Sequence, residues 1–182
     1  MIIAQLPVIP RLSKVPRGAF RRVILCFVLY RTKYRGRTYI SQREIASQFN
    51  RSGRQPISKH LLELRKSGLL QKLTESSGTM PDEYGRGEFF NTRTRESDRL
   101  CQMSNALFGN RGILHQWTYV SAWGYGCIDV SGVLCLATLS VLEEPIRKSS
   151  LTSYLAPIVS VSSIERCVDE FVELGLIHKS TC

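Results

Sequence analysis

Side chains that donate hydrogen bonds are concentrated in one short stretch of this chain. They are Arg51, Ser52, Arg54, Gln55, Ser58, Lys59 and Arg65. Arginine and lysine donate to guanine, glutamine bonds adenine through two hydrogen bonds, and all of these side chains can donate to phosphate oxygens. We expect Arg54, Gln55, Ser58 and Lys59 to face base edges. Arg51 and Arg65, on either side of them, would hold phosphates.

Further basic side chains lie before and after this stretch. Those expected to contact DNA as well are Arg21, Arg22, Arg35, Arg37, Arg86 and Arg93. A cluster of cations is usually only a solvated surface. These cations flank the donor-rich stretch, so we expect them to contact the phosphate backbone.

The basic charge is confined to one half of the chain. The net charge is +10 and the isoelectric point is near 9.6. Residues 1–95 hold 19 lysines and arginines against 6 acidic residues, a net +13, whereas residues 96–182 hold 6 against 9, a net −3. Solubility alone would not require this asymmetry. It favours a polyanionic partner for the N-terminal half.

The pattern around the donor-rich stretch predicts two helices followed by a β-hairpin. Residues 50–53 form the turn between the helices. The second helix has Pro56 in its first turn and ends at Gly68. Leu69-Leu70 begins a strand, and Glu88–Phe90 is predicted to return as its partner, which gives a wing. This order of elements is typical of a winged helix-turn-helix, whose second helix enters the major groove.

The same pattern occurs again near the C-terminus. Ile57, Leu61, Leu64, Gly68, Leu69 and Leu70 correspond to Ile164, Val168, Phe171, Gly175, Leu176 and Ile177, all at an offset of 107 residues. The repeated spacing predicts two helix-turn-helix units in tandem.

The polar face of the second copy is acidic. It carries Glu165, Asp169, Glu170 and Glu173, opposed on the same helix only by Arg166. Phosphate would repel that face, because affinity for DNA depends on charge neutralisation. We interpret the copy as a degenerate module used for dimerisation or for a protein partner. A weak base-reading role through Ser162, Ser163 and Arg166 remains an alternative.

These patterns predict a mainly α fold with small β-hairpin wings (α+β), built from two winged-helix-like units in tandem. The predicted divisions are an extended basic arm (1–16), a winged helix-turn-helix domain (17–95), a linking helix with an aromatic segment (96–131) and the second, degenerate unit (132–182). The arm would either follow phosphates or the minor groove, or pack on the protein or a partner subunit. Aromatic rings between residues 113 and 131 favour core or subunit packing.

Several classes of protein find no support in the sequence. The six cysteines include no C-x-x-C pair, and the three histidines are scattered, so neither a disulfide framework nor a metal site is expected. No glycine-rich phosphate loop or nucleophile motif is present, so we expect neither an enzyme nor a cofactor. The longest apolar run, Val23 to Tyr30, is too short to cross a membrane. We expect a cytoplasmic, nucleoid-associated protein.

Residues 41–70 and 149–177 resemble winged helix-turn-helix proteins of bacteria, phages and plasmids. The resemblance implies sequence-specific binding of double-stranded DNA, with transcriptional regulation by a homodimer as the first expectation. A plasmid- or phage-type replication initiator or partition protein is the alternative, with the acidic half recruiting a protein partner. A further alternative is a protein-interaction module that does not bind DNA.

Overall fold

A computed structural model describes residues 9–13, 15–48, 55–74, 81–110, 112–114, 129–142 and 145–180. The helices are α1 (Ala19–Arg31), α2 (Gln42–Gln48), α3 (Gln55–Lys66), α4 (Arg95–Phe108), α5 (Val130–Val141), α6 (Lys148–Leu155) and α7 (Val161–Glu173). The strands are β1 (Arg37–Tyr39), β2 (Leu70–Thr74) and β3 (Glu83–Arg86). The predicted α+β class, mainly helical with a small antiparallel sheet, is confirmed.

Helices α1, α2 and α3 pack together around an apolar core. Ser41 caps α2, since its Oγ accepts a hydrogen bond from the Glu44 N–H at 3.0 Å. On α3 the predicted buried face is confirmed, and Ile57, Leu61 and Leu64 are all buried. This packing orients the opposite face of α3 toward solvent.

The sheet is antiparallel, with β3 between β1 and β2. The predicted return strand is therefore displaced, because Glu88–Phe90 forms a short 3-10 helix instead. Tyr84 of β3 fills the core, and its burial raises its pKa to about 12. After β3 the Phe89 N–H donates to the Gly68 carbonyl at 3.0 Å, which holds the chain against the end of α3. That contact turns the chain out of the sheet.

Gly87 lies where the chain after β3 packs against the end of α3, and we expect Gly87→Ala to destabilise the fold strongly. A Cβ there would overlap the backbone carbonyl of Gly68, and backbone atoms cannot rotate away. The expected loss is about 3 kcal/mol of unfolding free energy, or roughly 6–12 °C in Tm for a chain of this size. Gly36→Ala is the control: Gly36 has φ +69 but open space around it, so it should lose only about 1 kcal/mol. If thermal melts showed equal losses of unfolding free energy for Gly87→Ala and Gly36→Ala, the close backbone contact at Gly87 would be contradicted.

Helix α4 packs along α1. The Ser104 Oγ donates to the Cys26 carbonyl at 2.8 Å, and the Phe27 and Phe108 rings lie 5.4 Å apart. The helix predicted over residues 97–109 is thus present, with Leu100 buried as expected. Much of the aromatic segment, residues 115–128, lies outside the described residues.

Helices α3 and α7 end in the same way. Gly68 and Gly175 both adopt a left-handed φ, +72 and +70. The leucine after each glycine, Leu69 or Leu176, donates its N–H to the helix carbonyl five residues earlier, at 3.0 and 2.9 Å. These are the same helix-ending hydrogen bonds at the predicted offset of 107.

Two details of the second unit differ from expectation. The strand predicted at Leu176-Ile177 is not formed, and those residues make bends. The sequence favours Ser149 or Ser150 as the N-cap of α6, but the helix begins at Lys148 after Arg147, so both serines lie inside its first turn. The cap of α7 is a serine as predicted, since the Ser160 Oγ accepts from the Ser163 N–H.

Candidate nucleic-acid interface

The exposed face of α3 carries three of the predicted contact residues, Ser58, Lys59 and Arg65. Gln55 is the first residue of α3, but its side chain lies outside the described residues, as do Arg51, Ser52 and Arg54. Lys66 is also exposed and follows Arg65 in the last turn. Within the described part of the chain, Lys59, Arg65 and Lys66 form no salt bridge with a carboxylate.

Arg21 keeps the one acidic residue of α3 paired. Its guanidinium forms a salt bridge with Glu63 and also donates to the Arg17 carbonyl at 3.1 Å. The Arg21 side chain is only 21% exposed. Arg21 therefore supports the interface by neutralising Glu63, and it is poorly placed to hold a phosphate itself.

Two residues of this surface, Leu62 and Arg43, were not among the predicted contact residues. Leu62 is 45% exposed on α3 although its helix buries other leucines. It follows Ser58 by four residues, so helical periodicity alone could have placed it on the contact face, where an apolar group can meet a thymine methyl. Arg43 is exposed in the first turn of α2. The first helix of such a pair crosses the phosphate backbone.

A second group of predicted residues lies at the end of the sheet next to α3. Strand register pairs Arg37 with Gly85, and Arg86 with Leu70 just after α3. Arg86 is thus roughly 13 Å from Asp82, at about 3.3 Å per residue of extended chain. Arg35 is exposed in the turn before β1 and lies near the same end.

Arg86 packs against an aromatic ring at the end of β3. Its guanidinium lies 5.7 Å from the Phe90 ring centroid. The side chain lines a cavity of about 100 Å³ between α1 and α4, together with Lys33 and Asn105. It is half-buried, and its role as a phosphate contact stays a prediction. Residues 75–80, which come between β2 and β3 in the sequence, lie outside the described residues.

Arg37 and Arg93 both have acidic neighbours. The Arg37 Nε lies 3.4 Å from the buried Glu83 carboxylate. Arg93 precedes α4 and its Nε donates to Asp98 at 3.1 Å. Neither belongs to the exposed face of α3.

Arg22 is almost fully buried, which does not fit its predicted role as a DNA contact. It is only 9% exposed. Its guanidinium donates to the carbonyls of Val15 and Pro16 at 3.2 Å each, and to that of Pro157 in the turn between α6 and α7. Burial lowers the pKa of this guanidinium. Arg22 therefore joins the N-terminal arm to the second unit and does not belong to the exposed face of α3.

The described part of the arm packs on the protein, in agreement with one of the two expectations. Ile9 and Val15 are buried. The Ser13 Oγ donates to Glu96 at 2.9 Å, and Arg99 donates to the Arg11 carbonyl at 3.3 Å. These contacts tie the arm to the first turns of α4.

The acidic face of α7 is partly neutralised by residues from other elements. Arg166 bonds Asp129 at 2.8 Å and lies 3.6 Å from Glu170. Asp169 accepts from Lys179 at 2.8 Å, and this hydrogen bond lowers the pKa of its carboxyl. The expectation that only Arg166 opposes the acids was therefore incomplete. Unlike Lys59 on α3, however, Arg166 is already engaged by carboxylates.

The described part of the chain shows neither a cluster of metal ligands nor a membrane-spanning helix. No three histidine, cysteine or acidic side chains there come together as possible metal ligands. None of the helices described is long and apolar enough to cross a membrane. Comparisons with protein-family models, curated proteins and solved structures gave no match.

Proposed function

We propose that this chain binds double-stranded DNA through α3 and acts as a transcriptional regulator. The observation that carries the proposal is the difference between the two equivalent helices. Lys59, Arg65 and Lys66 lie exposed on α3 without a carboxylate partner among the described residues, whereas the cation of α7, Arg166, is held by Asp129. Exposed cations on one helix face match the repeating negative charge of DNA.

In this proposal the first unit is a winged helix-turn-helix with α3 in the major groove. Ser58 and Lys59 would face base edges, together with Arg54 and Gln55 from the sequence just before them. Arg43 and Arg65 would contact phosphates on either side. The second unit is a helix-turn-helix without a described wing, and it serves as a protein contact.

Exposed apolar groups support a protein contact on the second unit. Val161 at the start of α7 is 48% exposed, and Leu174 and Leu176 just after it are 55% and 38% exposed. Apolar groups among charged ones are typical of surfaces that bind another protein chain. The proposed occupant is a second copy of the chain, which would give a dimer with two α3 helices.

Titration of a fluorescent random duplex with the full chain at two salt concentrations tests the proposal. Five or more phosphate contacts should weaken binding at least about a hundredfold between roughly 50 and 200 mM salt. A specific duplex, selected from a random pool, should bind at least about a thousandfold more tightly than the random one. Absence of duplex binding at the lower salt concentration would refute the proposed function and favour a protein-interaction module.

A further inference from the structure

A cavity of about 700 Å³ opens where the first unit meets the second. One side is formed by the arm and the start of α1, from Arg11 to Arg22. The other is formed by the first turn of α5 and the turn between α6 and α7, which includes Pro157. Its volume falls within the range of about 300–1,000 Å³ that is typical of small-molecule sites.

Among the residues that the structure describes, the charged residues lining this cavity are all arginines. They are Arg11, Arg17 and Arg22, and no described aspartate or glutamate lines it. The three hydrogen-bond partners of Arg22 are neutral carbonyls, so its positive charge is not compensated by them. Arg11 and Arg17 are exposed, and neither guanidinium forms a salt bridge within the described residues. The charge of Arg22 is partly compensated by the nearby carboxylate of Glu96. The two exposed cations beside it, Arg11 and Arg17, would be stabilised by an anion in the cavity.

The remaining lining suits a ligand with an anionic group and a neutral body. Ser131 and Ser163 supply hydroxyl groups, and Ile158 and Val159 supply apolar surface. Helix α1 starts at the same place without a side-chain cap, because its N-cap residue is Gly18. The positive end of that helix adds to the arginine charges but is a minor contribution.

We propose that this cavity binds a small phosphorylated molecule, with Arg11 and Arg17 as its phosphate ligands and Arg22 as the fixed charge behind them. Arginine is suited to this role because its planar guanidinium donates two parallel hydrogen bonds to phosphate oxygens. The proposal is independent of DNA binding by α3, since none of the cavity residues belongs to that helix.

Isothermal titration of the full chain with inorganic phosphate and, separately, with adenosine monophosphate tests the site. Binding of the nucleotide alone would show that the apolar lining also contributes. Binding of both probes with equal affinity would show that the site recognises the phosphate group. In either case Arg17→Ala should weaken binding about tenfold or more, because it removes a hydrogen-bonded charge. Arg95→Ala, which removes an exposed cation outside the cavity, should leave binding unchanged.

Two outcomes would overturn the proposal. One is that neither probe binds, or that Arg17→Ala and Arg95→Ala weaken binding equally. The other is that random duplex DNA displaces phosphate and Arg17→Ala weakens duplex binding by the same factor, because the cavity would then hold a DNA phosphate. If α3 variants lost duplex binding but still bound phosphate, the proposed phosphate site would be supported. The result for duplex binding would bear only on the proposed function.

Discussion

Arg22→Ala should lower the unfolding free energy of the full chain by about 4 kcal/mol. For a chain of this length the loss corresponds to roughly 8–16 °C in Tm. The reason is that the substitution leaves the carbonyls of Val15, Pro16 and Pro157 without their common donor in a buried position. It also removes the side chain that joins the arm, α1 and the α6–α7 turn. Thermal and chemical unfolding followed by circular dichroism measures the effect.

Arg21→Ala is the matched control, since Arg21 is the preceding residue on the same helix. Its partner is Glu63 in a partly exposed salt bridge, and such bridges contribute about 1 kcal/mol or less. The expected ratio of the two losses is therefore about four. If both variants lost the same stability, Arg22 would not be the structural residue that its hydrogen bonds indicate.

Lys59→Glu should weaken binding of duplex DNA by about ten- to a hundredfold at one fixed salt concentration. The substitution removes an unpaired cation from the exposed face of α3 and places a like charge opposite the phosphates. Lys59 is exposed and its stem is not part of the core, so the fold should be unaffected. Fluorescence anisotropy with a labelled duplex measures the change, and circular dichroism confirms that the variant is folded.

Arg166→Glu is the matched control, because position 166 is position 59 plus the offset of 107. It changes the net charge of the chain by the same amount. It acts on a side chain that already bonds Asp129, on a helix that we propose for protein contact. Duplex affinity should change less than about threefold. Equal losses in both variants would mean that overall charge, and not α3, determines binding.

Much of the helical framework could be predicted because local chemistry determines it. Gly68 and Gly175 end their helices with a left-handed residue, and the sequence shows both at the same distance from buried apolar residues. Ser41 and Ser160 accept hydrogen bonds from helix N–H groups at the predicted places. These features depend on residues within a few positions of one another, so periodicity and capping rules are sufficient to find them.

The strand positions could not be predicted in the same way. Glu88–Phe90 contains two adjacent phenylalanines and has the composition of a strand, whereas Glu83–Arg86 contains a glycine. The choice between them depends on where the chain returns to the end of α3, at Gly68 and Gly87. That contact joins residues about twenty positions apart, and a single sequence carries no signal for it.

The roles of individual cations were the least predictable part of the candidate site. Arg21 and Arg22 are neighbours in the sequence, yet one meets Glu63 and the other is buried against backbone carbonyls. The partner that buries Arg22, Pro157, lies 135 residues away. Lys179, which lies after the end of α7, likewise donates a hydrogen bond to Asp169 on that helix. Charge counting finds basic regions but cannot tell a contact residue from a structural one.

The most direct test of binding through α3 is the salt dependence of duplex affinity for the unaltered chain, Lys59→Glu and Arg166→Glu, measured in parallel. We expect the log-log slopes for the unaltered chain and Arg166→Glu to agree, and the slope for Lys59→Glu to be smaller, because the substitution replaces a cation close to the DNA charge with an anion. Three coincident slopes, or a smaller slope for Arg166→Glu alone, would contradict the assignment of DNA binding to the first unit.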